Sequence, residues 1–201
     1  MTEATARRRV GILISGRGSN MASLIEAARS PDYPAAIALV LSNRPDAAGL
    51  ARAAEAGIVT AVVDHTRFPG RAAFDAAVTA ELEAHGVNLV CLAGFMRILT
   101  DAFVARWRGR LINIHPSLLP AFKGLHPHRQ ALEAGVRIHG CTVHFVVPEL
   151  DSGPTIAQAT VPVLPGDTEE TLAARVLAEE HRLYPEGLRL VVSGAARLES
   201  T

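Results

Sequence analysis

The sequence predicts an α/β protein with a mostly parallel twisted sheet, an antiparallel C-terminal part and helices on both faces. Three observations predict it. Short apolar runs alternate with longer amphipathic ones through the first half, the pattern of βαβ units. A glycine-containing loop, Ser15-Gly16-Arg17-Gly18-Ser19-Asn20, follows the first apolar run. Beyond Gly94 the alternation gives way to two β-rich runs joined by a polar turn.

The elements follow in order. Val10 to Ile14 is apolar throughout and reads as a buried strand, and a helix follows from about Asn20 to Arg29. Ile37 to Leu41 is a second strand, ahead of a helix from about Ala47 to Ala56. Thr60 to Val63 makes a short third strand; Arg71 to His85 carries apolar residues at helical spacing. Leu89 to Leu92 is a fourth strand. Leu111 to Ile114 is a strand entering a Pro- and Gly-rich loop, Pro116 to Gly124, and His128 to Ala134 suits a short helix. Gly140 to Val147 and Thr155 to Val163 are strands joined by Glu149-Leu-Asp-Ser-Gly153, a turn between antiparallel neighbours. Thr168-Glu-Glu opens a last helix, with Asp167 or Thr168 as N-cap and acids in the first turn. Pro185 is expected to end that helix, leaving Leu188 to Leu198 for a small hairpin.

Bulk properties narrow the class. A chain of 201 residues, 49% hydrophobic, favours a single domain over 1–201, and roughly 70% of the unfolded surface becomes buried at that size. Lys and Arg together number 20, as do Asp and Glu, so the formal net charge is zero. Nucleic-acid binding normally brings a basic excess or stripe, and neither is visible. Arg7-Arg8-Arg9 resembles the start of a twin-arginine signal, but the apolar segment behind it stops at Ile14. No apolar stretch is long enough for a bilayer, so a cytoplasmic location is expected. Cys91 and Cys141 each sit inside an apolar run and read as small buried side chains.

Glycines between a strand and a helix let the backbone approach a phosphate, and the helix N-terminus adds free N–H groups. The dinucleotide fingerprint needs a third glycine where Met21 stands, and an acid where Ser42-Asn43-Arg44 ends the second strand. NAD is therefore disfavoured, while Arg44 leaves room for the 2′-phosphate of NADP. A tight turn with no ligand explains the same glycines. A single phosphate at Gly18, Ser19 and Asn20 is the preferred reading.

The segment Leu111-Ile-Asn-Ile-His-Pro116 is the most informative. Residues i and i+2 of a strand share a face, so Asn113 and His115 point the same way at its carboxyl end, where open α/β sheets bind ligands. A hydrogen-bonded core Asn beside a surface His explains the pattern as well. One carboxylate suffices to orient an imidazole and favour its charged form. Asp151 is a candidate and Glu149 its rival; spacing does not choose between them. His126, His128, His139 and His144 raise a metal site, yet no helical H-E-x-x-H is present. His144, alternating with Val143 and Phe145, reads as structural.

Together these segments resemble the glycinamide ribonucleotide formyltransferase family, folate-dependent enzymes of purine synthesis. The resemblance rests on Ile14-Ser-Gly-Arg-Gly-Ser-Asn20, Leu92-Ala-Gly-Phe-Met-Arg-Ile-Leu99, Asn113-Ile-His-Pro-Ser-Leu-Leu-Pro120, Gly124-Leu-His-Pro-His-Arg-Gln-Ala131, His139-Gly-Cys-Thr-Val-His-Phe145 and Glu149-Leu-Asp-Ser-Gly-Pro154, in family order across nearly the whole chain.

The resemblance implies a Rossmann-like formyltransferase fold, with phosphate binding in the N-terminal half and folate binding and catalysis in the C-terminal half. It implies 10-formyltetrahydrofolate as donor, glycinamide ribonucleotide as acceptor, no metal, and a monomer or weak homodimer. Gly18, Ser19 and Asn20 would hold the substrate phosphate and Glu180 the ribose. Arg71, Met96, Arg97, Ile98 and Leu99 would border the folate, with Asn113, Val147 and Asp151 completing its site. Asn113, His115 and Asp151 match the family's catalytic trio. Two relatives come close: formyltetrahydrofolate deformylase, which shares the fold and the trio and which Pro120-Ala-Phe-Lys-Gly124 also resembles, and methionyl-tRNA formyltransferase. Both carry an extra domain, N-terminal in the first and C-terminal in the second, so length is expected to separate them. A reductase linked to NADP and a non-catalytic nucleotide-binding module remain as rivals of other classes.

Overall fold

The computed structural model describes residues 7–199. Its elements run β1 (Arg8–Ile14), α1 (Ser19–Ala28), β2 (Ala35–Ser42), α2 (Ala48–Glu55), β3 (Thr60–Val62), α3 (Arg71–Ala84), β4 (Leu89–Leu92), α4 (Asp101–Arg106), β5 (Leu111–His115), α5 (Pro127–Glu133), β6 (Ile138–Phe145), β7 (Thr155–Pro162) and α6 (Glu169–Val192). The seven strands form one sheet in the order β3-β2-β1-β4-β5-β6-β7. Pairings from β3 through β5 are parallel, and β5–β6 and β6–β7 are antiparallel. This is the expected α/β arrangement.

Strand alternation sorts the core into two layers. Ile12 and Ile14 face a cluster built with Met21, Leu24, Val176 and Leu188, from α1 and α6. Leu13, between them, faces the opposite cluster with Phe74, Val78, Phe103 and Trp107, from α3 and α4. A strand buried on both faces has no polar positions to spare, which is why β1 after Arg9 reads as an unbroken apolar run.

One expectation is corrected. The last helix does not stop before Pro185 but runs to Val192 with Pro185 inside it, and among the described residues no strand follows β7. The buried stripe Leu172, Val176, Glu180, Leu183, Tyr184, Gly187 and Leu188 passes straight through the proline. An interior proline costs about 3 kcal/mol, whereas fully burying one large apolar side chain contributes about 1.5–3 kcal/mol. Leu183, Tyr184 and Leu188 together outweigh the lost hydrogen bond. Polar anchors add to them: the Tyr184 hydroxyl donates to the Leu92 carbonyl at 2.8 Å, and the Tyr33 hydroxyl to the Pro185 carbonyl at 2.6 Å. The structure also holds α4, an element without a counterpart among the expected ones. Thr100 caps it by accepting from Phe103 N–H at 3.3 Å, Asp101 occupies its first turn, and Phe103 and Val104 are buried.

Candidate active site at the carboxyl ends of β1, β4 and β5

Strand order reverses at β1, whose chain continues to β2 on one side while β4 pairs on the other. Loops leaving β1 and β4 therefore diverge and open a crevice, the place where open α/β sheets take ligands. The crevice encloses about 400 Å³, walled by the Ser15–Asn20 loop, by Asn43 and Arg44 after β2, and by Gly94, Met96 and Arg97 after β4.

Gly18 is the pivot of the first wall. It caps α1 in the left-handed conformation, φ 68°, and an added Cβ would lie 3.0 Å from Met21 Cε and 3.2 Å from the Gly49 Cα. Only glycine adopts this turn without strain. The loop is braced by Gly49 N–H donating to the Gly16 carbonyl at 3.0 Å. No acid occupies the first turn of α1, so its free N–H groups and dipole favour an anion. Asn20 reaches the last helix: its Nδ2 donates to Glu180 at 2.8 Å, and its Oδ1 is buried without a hydrogen-bond partner. Burial raises the Glu180 pKa, and the hydrogen bond from Asn20 offsets part of that rise.

The polar constellation assembles on β5. Asn113 and His115 lie two residues apart at its carboxyl end, paired across the ladder with His144 and Thr142 of β6. The Asp151 carboxylate sits 3.4 Å from His115 Nδ1, both side chains 8% exposed. Glu149 is exposed, so the choice between the two acids falls to Asp151. Asp151 itself is left-handed, φ 48°, and accepts from Gly124 N–H at 2.9 Å, tying the β6–β7 turn to the loop after β5. Its turn packs tightly: a Cβ on Gly153 would fall 1.7 Å from the Phe145 carbonyl oxygen. His115 Nε2 donates to the Phe122 carbonyl at 3.0 Å.

His144, read from sequence as structural, belongs to the same cluster. Its Nδ1 donates to the Phe145 carbonyl at 2.9 Å, leaving Nε2 to accept from Asn113 Nδ2 at 3.2 Å. That bond orients the Asn113 amide. Burial, foremost, lowers the His144 pKa and favours this neutral tautomer. Only the pairing of β5 with β6 brings the residues together, and no local pattern announces it.

Of the remaining expected residues, Met96 and Arg97 line the crevice, and Ile98, Leu99, Arg71 and Val147 lie outside its wall. Met96 and Ile98 are exposed, 72% and 67%, while Arg97 and Leu99 are half-buried. The Arg97 Nε is buried without a partner. Arg71 is exposed at the start of α3, outside the crevice wall. One turn later Asp75, buried and not singled out from sequence, accepts from Thr100 N–H and its hydroxyl, each at 2.7 Å, and so fixes the end of the Met96–Leu99 segment. Val147 is half-buried in the β6–β7 connection. Arg44 is held by a bidentate pair with Asp46, at 3.0 and 2.8 Å. Among the described residues no group of three or more His, Cys, Asp or Glu is disposed to hold a metal ion. His128 Nδ1 and His139 Nε2 instead meet each other at 3.2 Å.

This geometry can be compared with known proteins. The formyl transferase family model matches residues 8–188. The chain belongs to the formyl transferase family. Among relatives of this formyl transferase, phosphoribosylglycinamide formyltransferase of Escherichia coli is 50% identical over 174 residues, covering 87% of this chain and 82% of that protein. The trifunctional purine biosynthetic protein adenosine-3 of Bos taurus is 52% identical over 192 residues, 96% of this chain, yet the match spans 19% of that longer protein. A solved glycinamide ribonucleotide transformylase from Symbiobacterium toebii superposes on the formyl transferase with a TM-score of 0.94 at 50% identity, covering 96% of this chain and 92% of that one.

Proposed function

We propose that this formyl transferase moves the formyl group of 10-formyltetrahydrofolate to the primary amine of glycinamide ribonucleotide, a step of purine synthesis. The observation that carries the reading is the convergence of Asp151 on His115 beside Asn113, at the carboxyl end of the same sheet whose β1 loop leads to an anion-ready helix terminus. The names of the similar proteins support formyl transfer to glycinamide ribonucleotide. One domain over 1–201 performs the reaction, as a cytoplasmic monomer or weak homodimer acting on small molecules alone.

Gly18, Ser19 and Asn20 hold the phosphate through backbone N–H groups. Glu180 and the unpartnered Asn20 Oδ1 take the ribose hydroxyls. Met96, Arg97, Ile98 and Leu99, with Arg71 and Val147, border the folate; the exposed Met96 and Ile98 provide apolar surface for its rings. When the amine attacks the formyl carbon, the formyl oxygen gains negative charge. Asn113 Nδ2 has a second N–H beyond the one given to His144, and His115 has the proton now donated to Phe122. Both serve that oxygen, and one such donor is typically worth about 2.7–4 kcal/mol, or roughly 10²–10³ in rate. Asp151 stabilises the imidazolium and receives or relays the proton lost by the amine, which ends on the departing folate nitrogen.

Incubation with 10-formyltetrahydrofolate, with and without glycinamide ribonucleotide, tests the proposal. Formyl loss that depends on the amine supports it. Formyl loss without the amine identifies a deformylase instead, and tight NADPH binding with no formyl loss identifies a reductase.

A further inference from the structure

Behind the crevice a buried set of hydrogen bonds joins its two walls. Ser15, at the end of β1, opens the glycine loop, and Met96 opens the apolar segment after β4. The Met96 N–H donates to the Ser15 Oγ at 2.8 Å. With its oxygen accepting there, the Ser15 hydroxyl directs its single proton to Asn43 Oδ1 at 2.6 Å. Asn43 Nδ2 in turn lies 3.2 Å from His65 Nδ1. A second strut runs alongside, Ser15 N–H donating to the Gly94 carbonyl at 3.2 Å. Ser15 and Asn43 are 8% and 2% exposed, so water cannot substitute freely for a lost partner.

This arrangement differs from ordinary loop anchoring in one respect. Among the described residues, the hydroxyl of Ser15 makes the side-chain hydrogen bond that links the glycine loop to the segment after β4: its residue lies three positions before Gly18, and its oxygen holds the first main-chain donor of the segment Met96 to Leu99. Any ligand that orders the glycine loop fixes this oxygen, and so fixes the Met96 amide.

We propose that Ser15, oriented by Asn43, is a positioning residue that couples the phosphate cradle to the folate-bordering segment, so that each ligand tightens the binding of the other. The inference rests on the functional reading above. A ligand bound at one wall orders the shared hydroxyl, and the second ligand then loses less freedom on binding. Linkage makes the effect reciprocal, and couplings of this kind are typically about 5- to 150-fold.

Calorimetry with glycinamide ribonucleotide and tetrahydrofolate, a pair with no formyl group to transfer, tests it. In the wild-type protein, saturating tetrahydrofolate is expected to tighten glycinamide ribonucleotide at least about 5-fold. In Ser15→Ala that ratio falls toward one, and Ser15→Thr, which keeps the hydroxyl, restores it. A ratio unchanged in a folded Ser15→Ala variant, or absent in the wild type, overturns the coupling. Hydrogen exchange at the Met96 amide of the wild type needs no variant: glycinamide ribonucleotide alone is expected to slow it several-fold, and no slowing overturns the proposal. A wild-type protein that binds neither compound refutes the functional reading itself. One that binds both and transfers formyl, but shows no coupling, refutes this inference alone.

Discussion

Asn20 Nδ2 donates to the Glu180 carboxylate at 2.8 Å, joining the first helix to the last across 160 positions of sequence. The carboxylate is buried, and removal from water raises its pKa above the ordinary value. Between that ordinary value and the raised one the folded state holds the proton more firmly, so stability falls as pH rises through the window. Glu180→Gln keeps an acceptor for Asn20 and removes the buried charge. Its melting temperature at pH 7 is expected to exceed the wild type by about 2–4 °C, with the gain shrinking as pH falls through that window and gone below the ordinary value of 4.5, while the KM for glycinamide ribonucleotide rises. A melting temperature that does not rise, measured by calorimetry, would show that the charge costs nothing where it sits.

Asp151→Asn preserves an oxygen for Gly124 N–H and changes little in volume. The fold should persist, judged by an unchanged circular dichroism spectrum. Turnover should fall by about 100-fold or more, because the imidazolium loses its counter-charge and the proton its acceptor. Steady-state rates at saturating substrates decide the matter: near-normal kcat removes Asp151 from the chemistry.

Gly18→Val places a branched side chain at φ 68°, with its Cβ 3.0 Å from Met21 Cε. The backbone strain costs about 1–2 kcal/mol, and the turn shifts away from the anion's approach. The KM for glycinamide ribonucleotide is expected to rise about tenfold or more, by roughly 1.4 kcal/mol per decade. The KM for the folate stays within about twofold. A change confined to the folate would mean that the two ligands are assigned to the wrong walls.

His139 is fully buried, and burial, with the neighbouring His128, lowers its pKa to about 4. The unfolded chain takes up this proton near pH 6.5, the folded protein only near pH 4. Stability is therefore complete above about pH 6.5 and declines as pH falls toward 4, by about 3 kcal/mol at 1.36 kcal/mol per unit. Thermal melts from pH 7 to pH 4 should lose about 6–12 °C from this residue. In His139→Gln that limb should flatten; an unchanged slope would assign the acid sensitivity to another group.

Much of this was legible from local pattern. The parallel strands announce themselves because burial on both faces leaves runs such as Val10 to Ile14 without polar interruption. Asn113 and His115 stand out because polar side chains at i and i+2 interrupt such a run. What escaped depends on partners distant in sequence. Pro185 reads as a helix end when judged by its own ring, and the apolar surface beneath Tyr184 and Leu188 overrides it. His144 looks structural until β6 pairs with β5 and sets its Nε2 against Asn113. Ser15 and Asn43 meet across 28 positions, and Ser15 and Met96 across 81. Glu149 and Asp151 differ only in which way the turn aims them, a matter of the left-handed backbone at Asp151 and the amide of Gly124. The short helix over Asp101–Arg106 was visible in principle, in the Thr100 cap and the acid behind it.

The bond between Asn20 and Glu180 also bears on how the protein comes into being. A ribosome delivers the glycine loop well before the acid that faces it. Until α6 has been made, Asn20 lacks its partner and the proposed sugar-binding side of the site lacks its acid. On the proposed reading, a nascent chain halted before α6 offers the phosphate loop without its ribose contact, and competence for the nucleotide waits on that helix.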